Sequence, residues 1–223
     1  MTHVIALLVC LVIPIISYFD MKRIKSSKDP KAKERMYVII CMWYWILTTI
    51  ILFLAPFKEL WSPRVTIEFN IWIVLTAIGF GILWLLSIIL PLILMSLKPS
   101  FSKKVSDNMG DMSFIHPVTP KEIKLFVLLS FTVGFAEEII FRAYLFQYVF
   151  SFGFTALVSF LIVTVIFGAV HYIQGVEGVL QAGFFGFTMG VLYFATGSLL
   201  LPIILHILSD LKIVYLSKLV NRS

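Results

Sequence analysis

Two adjacent glutamates, Glu137 and Glu138, stand in the run VGFAEEIIFRAYLF, and Arg142 follows the second by four residues. Nothing else in that run is charged. On a helix, a Glu followed four positions later by an Arg is the favourable orientation for an ion pair, so Glu138 and Arg142 are expected to hold each other. Glu137 points about 100° away around the same helix and has no equivalent local partner. It is the free carboxylate, open to proton chemistry. Further along, His171 follows Phe167 by four residues and Asp210 follows His206 by four, so each pair shares a helix face. Histidine is the side chain whose charge changes near neutral pH. Glu137, Glu138, Arg142, His171, His206 and Asp210 all fall in apolar stretches of the carboxyl-terminal half. A charged group near the centre of a membrane span costs about 2.5–3.5 kcal/mol, and such groups are usually paired or functional.

The elements that must position them are membrane helices. The chain has 223 residues, 60% hydrophobic and 13% charged, about half the charged share of a soluble domain. We expect an all-α polytopic transmembrane bundle of about seven spans. They read as Val4–Phe19, Met36–Pro56, Ile71–Leu97, a long helix within 121–150, Phe154–His171, Val176–Thr196 and Leu199–Leu219, most of them near the ~20 residues a bilayer demands. The first is not read as a signal peptide, because no basic segment precedes it and no small-residue cleavage site follows. One membrane domain, 1–223, is expected, with accessory helices in 1–97 and a catalytic core in 121–215. Cys10 and Cys41 sit in apolar runs and read as small buried hydrophobes.

Charge sets the expected orientation. Segment 20–35 holds seven Lys or Arg, segment 98–124 holds five and the carboxyl-terminal end three, against two (Lys58 and Arg64) in 57–70. The positive-inside rule then places the amino terminus outside and the carboxyl terminus in the cytoplasm. The net +6 is thus a topology signal with lipid headgroups as its partner, not a nucleic-acid footprint. Residues 98–120, with Pro99, Ser100, Gly110, Pro117 and Pro120, read as a flexible cytoplasmic linker. The Lys- and Ile-rich composition reads as a bacterial plasma-membrane protein.

Depth brings the polar residues together. With SFGF near residue 152 as one outer turn and ATGS near 197 as another, Glu138 lies roughly 18 Å below the first and His171 roughly 25 Å down the next helix. His206 and Asp210 lie roughly 12 and 18 Å below the second. Side chains tilt toward the amino end of their helix, which narrows the gap between Glu138 and His171. Three helices therefore present ionisable groups in one layer. Between them Gly186 and Gly190, with Ala182, form a small-residue stripe suited to close helix packing. Gln181 faces the middle of the sixth helix, with lining of the same cavity as its minor reading, while His3, His116 and Glu177 are read as solvated.

The motifs EEIIFR, FGAVH and HILSD, in this order, resemble those of the CAAX-protease and bacteriocin-processing (CPBP) family of intramembrane endopeptidases, which includes the type II CAAX prenyl proteases. The resemblance covers about residues 121–215; the first three helices carry none of it. It implies hydrolysis of a peptide bond of a membrane-associated peptide or protein near the cytoplasmic face. Carried over by position, Glu137 with His171 would activate water, His206 and Asp210 would stabilise the oxyanion, and Glu138 with Arg142 would organise the site. The last position is often Asn in that family, and an ionised Asp only accepts hydrogen bonds, so Asp210 either is protonated, orients His206 or binds a cation.

No cofactor is expected on this reading. A zinc-dependent version would use His171, His206 and a carboxylate as ligands with water in the fourth place, although no HExxH motif is present. A reading from another class is a non-catalytic membrane scaffold or a proton-coupled transporter with the buried carboxylates as relay. Transporters more often show paired halves, and no internal repeat is visible.

Overall fold

The computed structural model describes residues 2–27, 29–54, 61–63, 65, 67, 70–97 and 115–220. Every regular element among them is helical. Helix α1 runs through Thr2–Leu7, a π turn at Leu8–Val12 and Ile13–Lys25. Pro14 has no N–H to continue the ladder, and the adjoining turn widens so that Ile13 N–H reaches Leu8 O. Helix α2 is Ala32–Leu54 and α3 is Ile71–Leu97. Helix α4 joins Pro120–Glu137, a π turn at Glu138–Leu145 and Phe146–Phe150. Helices α5, α6 and α7 are Ala156–Ala169, Gly175–Thr196 and Leu200–Val220.

These rods follow the seven apolar stretches closely. Four of them (3–25, 32–54, 172–196 and 200–217) contain a helix long and apolar enough to cross a membrane, and α5 is a shorter apolar helix. Most of the expected linker, residues 98–114 with Lys98, Lys103 and Lys104, lies outside the described residues, as do Lys58, Arg64 and Arg222.

The surface is that of a protein solvated by lipid. Phe53, Trp72, Val165 and Leu180 are exposed, whereas Glu137, Glu138, Arg142 and His206 are buried. A water-soluble chain distributes these residue types the other way. The main core gathers Ile139, Ile140, Phe141, Leu145 and Phe146 of α4 with Phe160 and Phe167 of α5, Val191 of α6, Ile51 of α2 and Ile5 of α1. Helix α4 is therefore the hub, and residues 138–145 are buried throughout.

Several details lock that hub in place. Thr119 caps α4 by accepting from Glu122 N, while Glu122 Oε2 accepts from Thr119 N at 3.0 Å and Val118 N at 2.7 Å, a reciprocal capping box. Lys33 of α2 bridges Glu122 and the carbonyl of His116. Helix α7 lies against α4 where Gly134 removes the obstacle: a Cβ there would stand 2.7 Å from Ile207 Cγ1 and 2.9 Å from Ile207 N. On α6 the small-residue stripe admits aromatic rings. Phe167 fills the place of a Cβ on Gly186, and Phe160 that on Gly190. The backbones of α5 and α6 lie close at Gly168, where a Cβ would stand 3.0 Å from Gly183 Cα and 3.0 Å from Val179 O. Gly197 ends α6 at φ 65°, a left-handed conformation that glycine adopts without Cβ strain.

Candidate active site

Glu137 is the last residue of the regular α-helical part of α4, and Glu138 opens the π turn. Single π turns inside α-helices occur frequently at functional sites. Here the turn begins at the two carboxylates, and Phe146 N–H closes it on Phe141 O.

Glu138 is fully enclosed, at 0% exposure. Its Oε2 lies 3.2 Å from Arg142 Nε, an ion-pair contact rather than an aligned hydrogen bond. Its Oε1 accepts from His206 Nδ1 at 2.7 Å, the length of a charge-assisted bond. Arg142 is held in turn from α6 and α5. Its Nη2 donates to Gly186 O at 3.1 Å, and the guanidinium carbon stands 4.4 Å from the centre of the Phe167 ring, within the range of a cation–π contact. The expected intrahelical pair thus exists, and its second use, as an anchor for His206, comes from a helix 68 residues away.

Because a carboxylate only accepts, the His206 proton sits on Nδ1 toward Glu138. That turns Nε2 toward Glu137, whose Oε2 lies 3.7 Å away. This is too long for a direct hydrogen bond and suits a shared third partner. Glu137 Oε1 accepts from the Tyr44 hydroxyl of α2. Its Oε2 is buried and has no hydrogen-bond partner among the described residues. Phe185 packs edge-on against the His206 ring at 4.9 Å, and Phe167 stands behind it at 6.4 Å. The walls are therefore apolar and the polar atoms few, an arrangement in which each charge acts through a low dielectric.

Residues 119–211 match the model of the family described as type II CAAX prenyl endopeptidase, Rce1-like. That stretch, well under half of the chain, is similar to this family of CAAX proteases. No curated protein and no solved structure matches the chain. The family so described is one of prenyl endopeptidases, and the described helices 3–25, 32–54, 172–196 and 200–217 are long and apolar enough to cross a membrane. The match opens at the cap of α4 and closes one residue after Asp210, so all six candidate residues lie inside it.

Within the matched segment the six are not equally joined. Glu137, Glu138, Arg142 and His206 form one connected group. Asp210 lies one turn beyond His206, half-buried, without a hydrogen bond or ion pair among the described residues. His171 sits in the turn just after α5 rather than within the helix. Its Nδ1 donates to Phe167 O at 2.7 Å, since a carbonyl only accepts, and this leaves Nε2 as the lone-pair nitrogen. No hydrogen bond or ion pair joins it to Glu137; its link to the group is the Phe167 ring, 4.9 Å from its own.

Other expectations change in tertiary context. Gln181 is exposed and donates to Glu177 at 3.1 Å, away from the site. His3 bonds Tyr148 rather than facing solvent alone. His116 packs under α2, where burial, with Lys33 nearby, lowers its affinity for a proton. Glu137 is not without a partner, because Tyr44 supplies one. Sequence spacing could not have found it, as periodicity relates only neighbours on one helix. The available signal was a stripe on α2 itself: Tyr37, Cys41, Tyr44, Thr48 and Ile51 recur at helical spacing, and α2 lays it along α4. For zinc, the described residues hold no group of three or more His, Cys, Asp or Glu side chains placed as ligands. Glu138 and the Nδ1 atom of His206 hold each other, which leaves Glu137 Oε2 and the Nε2 atoms of His206 and His171 as open donors, and these are not gathered as a ligand set.

Proposed function

We propose that this protein hydrolyses a peptide bond of a membrane-associated peptide or protein within the bilayer, near the cytoplasmic face, with Glu137 as general base. The observation that carries the reading is Glu137 Oε2: buried, lacking a partner among the described residues, and facing His206 Nε2 at 3.7 Å. A water held by Oε2 loses a proton to it as its oxygen attacks the carbonyl carbon. The tetrahedral oxyanion forms, the C–N bond breaks, and the same proton passes from Glu137 to the departing nitrogen. Proton transfer by a positioned group contributes typically 10²–10⁴-fold.

His206, held by Glu138 through Nδ1, presents an Nε2–H to the oxyanion when the ring is doubly protonated. One such donor is typically worth about 2.7–4 kcal/mol of barrier. His171, with its lone pair on Nε2, is the second acceptor for the water proton once substrate and water fill the space beside Phe167. Asp210 completes the oxyanion side as a neutral acid. Glu138 and Arg142 hold His206 rather than act on substrate. The amino terminus faces outward, the seven helices span the bacterial plasma membrane, and the basic segments meet the cytoplasmic leaflet. A prenylated tail ending in Cys-aliphatic-aliphatic-X is the first substrate to try, following the family description.

The test is reconstitution of the purified chain in vesicles with internally quenched peptides, a farnesylated Cys-aliphatic-aliphatic-X peptide among them. Glu137→Gln should abolish cleavage while leaving the thermal midpoint in place. Undiminished cleavage by this variant removes Glu137 as the base.

A further inference from the structure

The half of the chain that lies outside the family match contributes to the site. We infer that Tyr44 of α2 is a positioning residue for Glu137: it selects which of the two carboxylate oxygens meets the water. This inference rests on the proposed role of Glu137 as base.

The chemistry starts with the carboxylate. The terminal torsion of a Glu side chain is broad, with no strong preference between orientations. A base that collects a proton and returns it to a different atom needs one oxygen fixed at the reacting geometry, since small misplacements are costly in rate. Glu138 has both oxygens engaged, one by Arg142 and one by His206. Glu137 has only one external anchor among the described residues, the Tyr44 hydroxyl on Oε1. With that oxygen taken, the torsion is set and Oε2 is the atom turned toward His206. A phenol has a single proton to give, and a carboxylate oxygen is the strongest acceptor within its reach.

Helix α2 is held so that Tyr44 cannot drift. Seven residues before it, Tyr37 donates to the carbonyl of Ile115 at the entry to α4. Directly after it, Trp45 Nε1 donates to Thr132 Oγ1 at 3.2 Å, and its ring lies 5.8 Å from that of Phe135. On the far side Thr48 and Ile51 are fully buried. These contacts fix the register of α2 on α4 around the one residue that reaches the catalytic carboxylate. The segment 119–211 therefore lacks part of its own base.

The experiment uses the full chain in vesicles and the variant Tyr44→Phe, which keeps the ring and removes the hydroxyl. Glutamate carboxyls are labelled with ¹³C, and the infrared band of Glu137 is isolated as the difference between a protein and its Glu137→Gln counterpart, in both the wild-type and Tyr44→Phe backgrounds. The carboxylate stretch of Glu137 should shift when the hydroxyl is gone; an unshifted band overturns the bond. Cleavage of the farnesylated quenched peptide is followed in parallel. Loss of a hydrogen bond to a charged group should lower kcat by ~10–100-fold with KM and the thermal midpoint unchanged. The exposed neighbour Trp43→Phe should leave both readouts where they were. An unchanged kcat, or a fall in kcat matched by an equal loss of thermal stability, overturns the positioning role. If the wild-type chain cuts no peptide, the hydrolytic reading falls, while the infrared comparison still decides whether Tyr44 orients Glu137.

Discussion

Substituting Gly134 by alanine probes how the site is assembled without touching any candidate catalytic group. The added methyl would stand 2.7 Å from Ile207 Cγ1, 2.9 Å from Ile207 N and 3.2 Å from Ile207 Cα. Two of these atoms are backbone and cannot swing aside. Carbon contacts relax to about 3.5–4.0 Å, so α4 and α7 must part by roughly 0.5–1 Å at this level. His206 neighbours Ile207, and its 2.7 Å bond to Glu138 would stretch past the ~3.2 Å limit of a good hydrogen bond. Overpacking of this kind costs about 1–3 kcal/mol, and alanine in place of glycine inside a helix returns about 1 kcal/mol. The net destabilisation is about 0–2 kcal/mol, small for a folded domain, whereas a displacement near 1 Å costs about 100-fold in rate. Gly134→Ala should therefore fold, with a modest drop in thermal midpoint, and lose cleavage by roughly two orders of magnitude. The control is Gly81→Ala, where the nearest atom to the new methyl is Thr188 Cγ2 at 3.9 Å; it should keep its activity and gain up to ~1 kcal/mol of stability. Full activity in Gly134→Ala, measured in vesicles beside its melting curve, would show that the approach of α7 to α4 does not set the geometry of the site.

Other outcomes follow from the same contacts. Glu138→Ala strips Arg142 of its carboxylate and His206 of its acceptor, leaving a buried unpaired cation, and should cost about 3–5 kcal/mol in thermal or denaturant unfolding; a variant as stable as Glu137→Gln would contradict the structural role. Asp210→Asn should retain cleavage, because an amide donates as a neutral acid does, whereas Asp210→Ala should lose ~10²–10³-fold; equal activities of the two would remove Asp210 from the oxyanion side. Prolonged treatment with a chelator should leave activity intact, and loss restored by added zinc would reinstate the metal reading. In the loop after α1, Asp29 accepts from Lys31 N and pairs with Arg35, and these contacts lower its proton affinity. Its contribution to loop order is present above its ordinary value of about pH 4 and fades as pH falls through the lowered one. Hydrogen exchange at the Lys31 amide should accelerate in acid in the wild-type chain and be insensitive to pH, after correction for intrinsic rates, in Asp29→Asn.

Much of the scaffold could be read in one dimension because helices are local objects. Apolar runs of the right length located the rods, and the Glu138–Arg142 pair followed from spacing alone, since both partners ride on one helix. Rise per residue is constant along a helix, so relative depths could be compared from spacing, but not which side chains meet. What spacing cannot carry is rotation and approach between helices. Those depended on where a side chain is missing, at Gly134 and Gly186, and on which ring or backbone then moved in.

The sequence by itself determined that this chain is a helical membrane protein whose apolar stretches carry acids and imidazoles only in its second half, because hydropathy and periodicity act over single segments. Only the tertiary structure decided their partners. It tied His206 to Glu138, left His171 in a turn behind Phe167, and brought Tyr44 across 93 residues to Glu137. A hydrogen bond is a matter of a few tenths of an ångström between atoms on different helices, and that is set by packing, which no one helix contains.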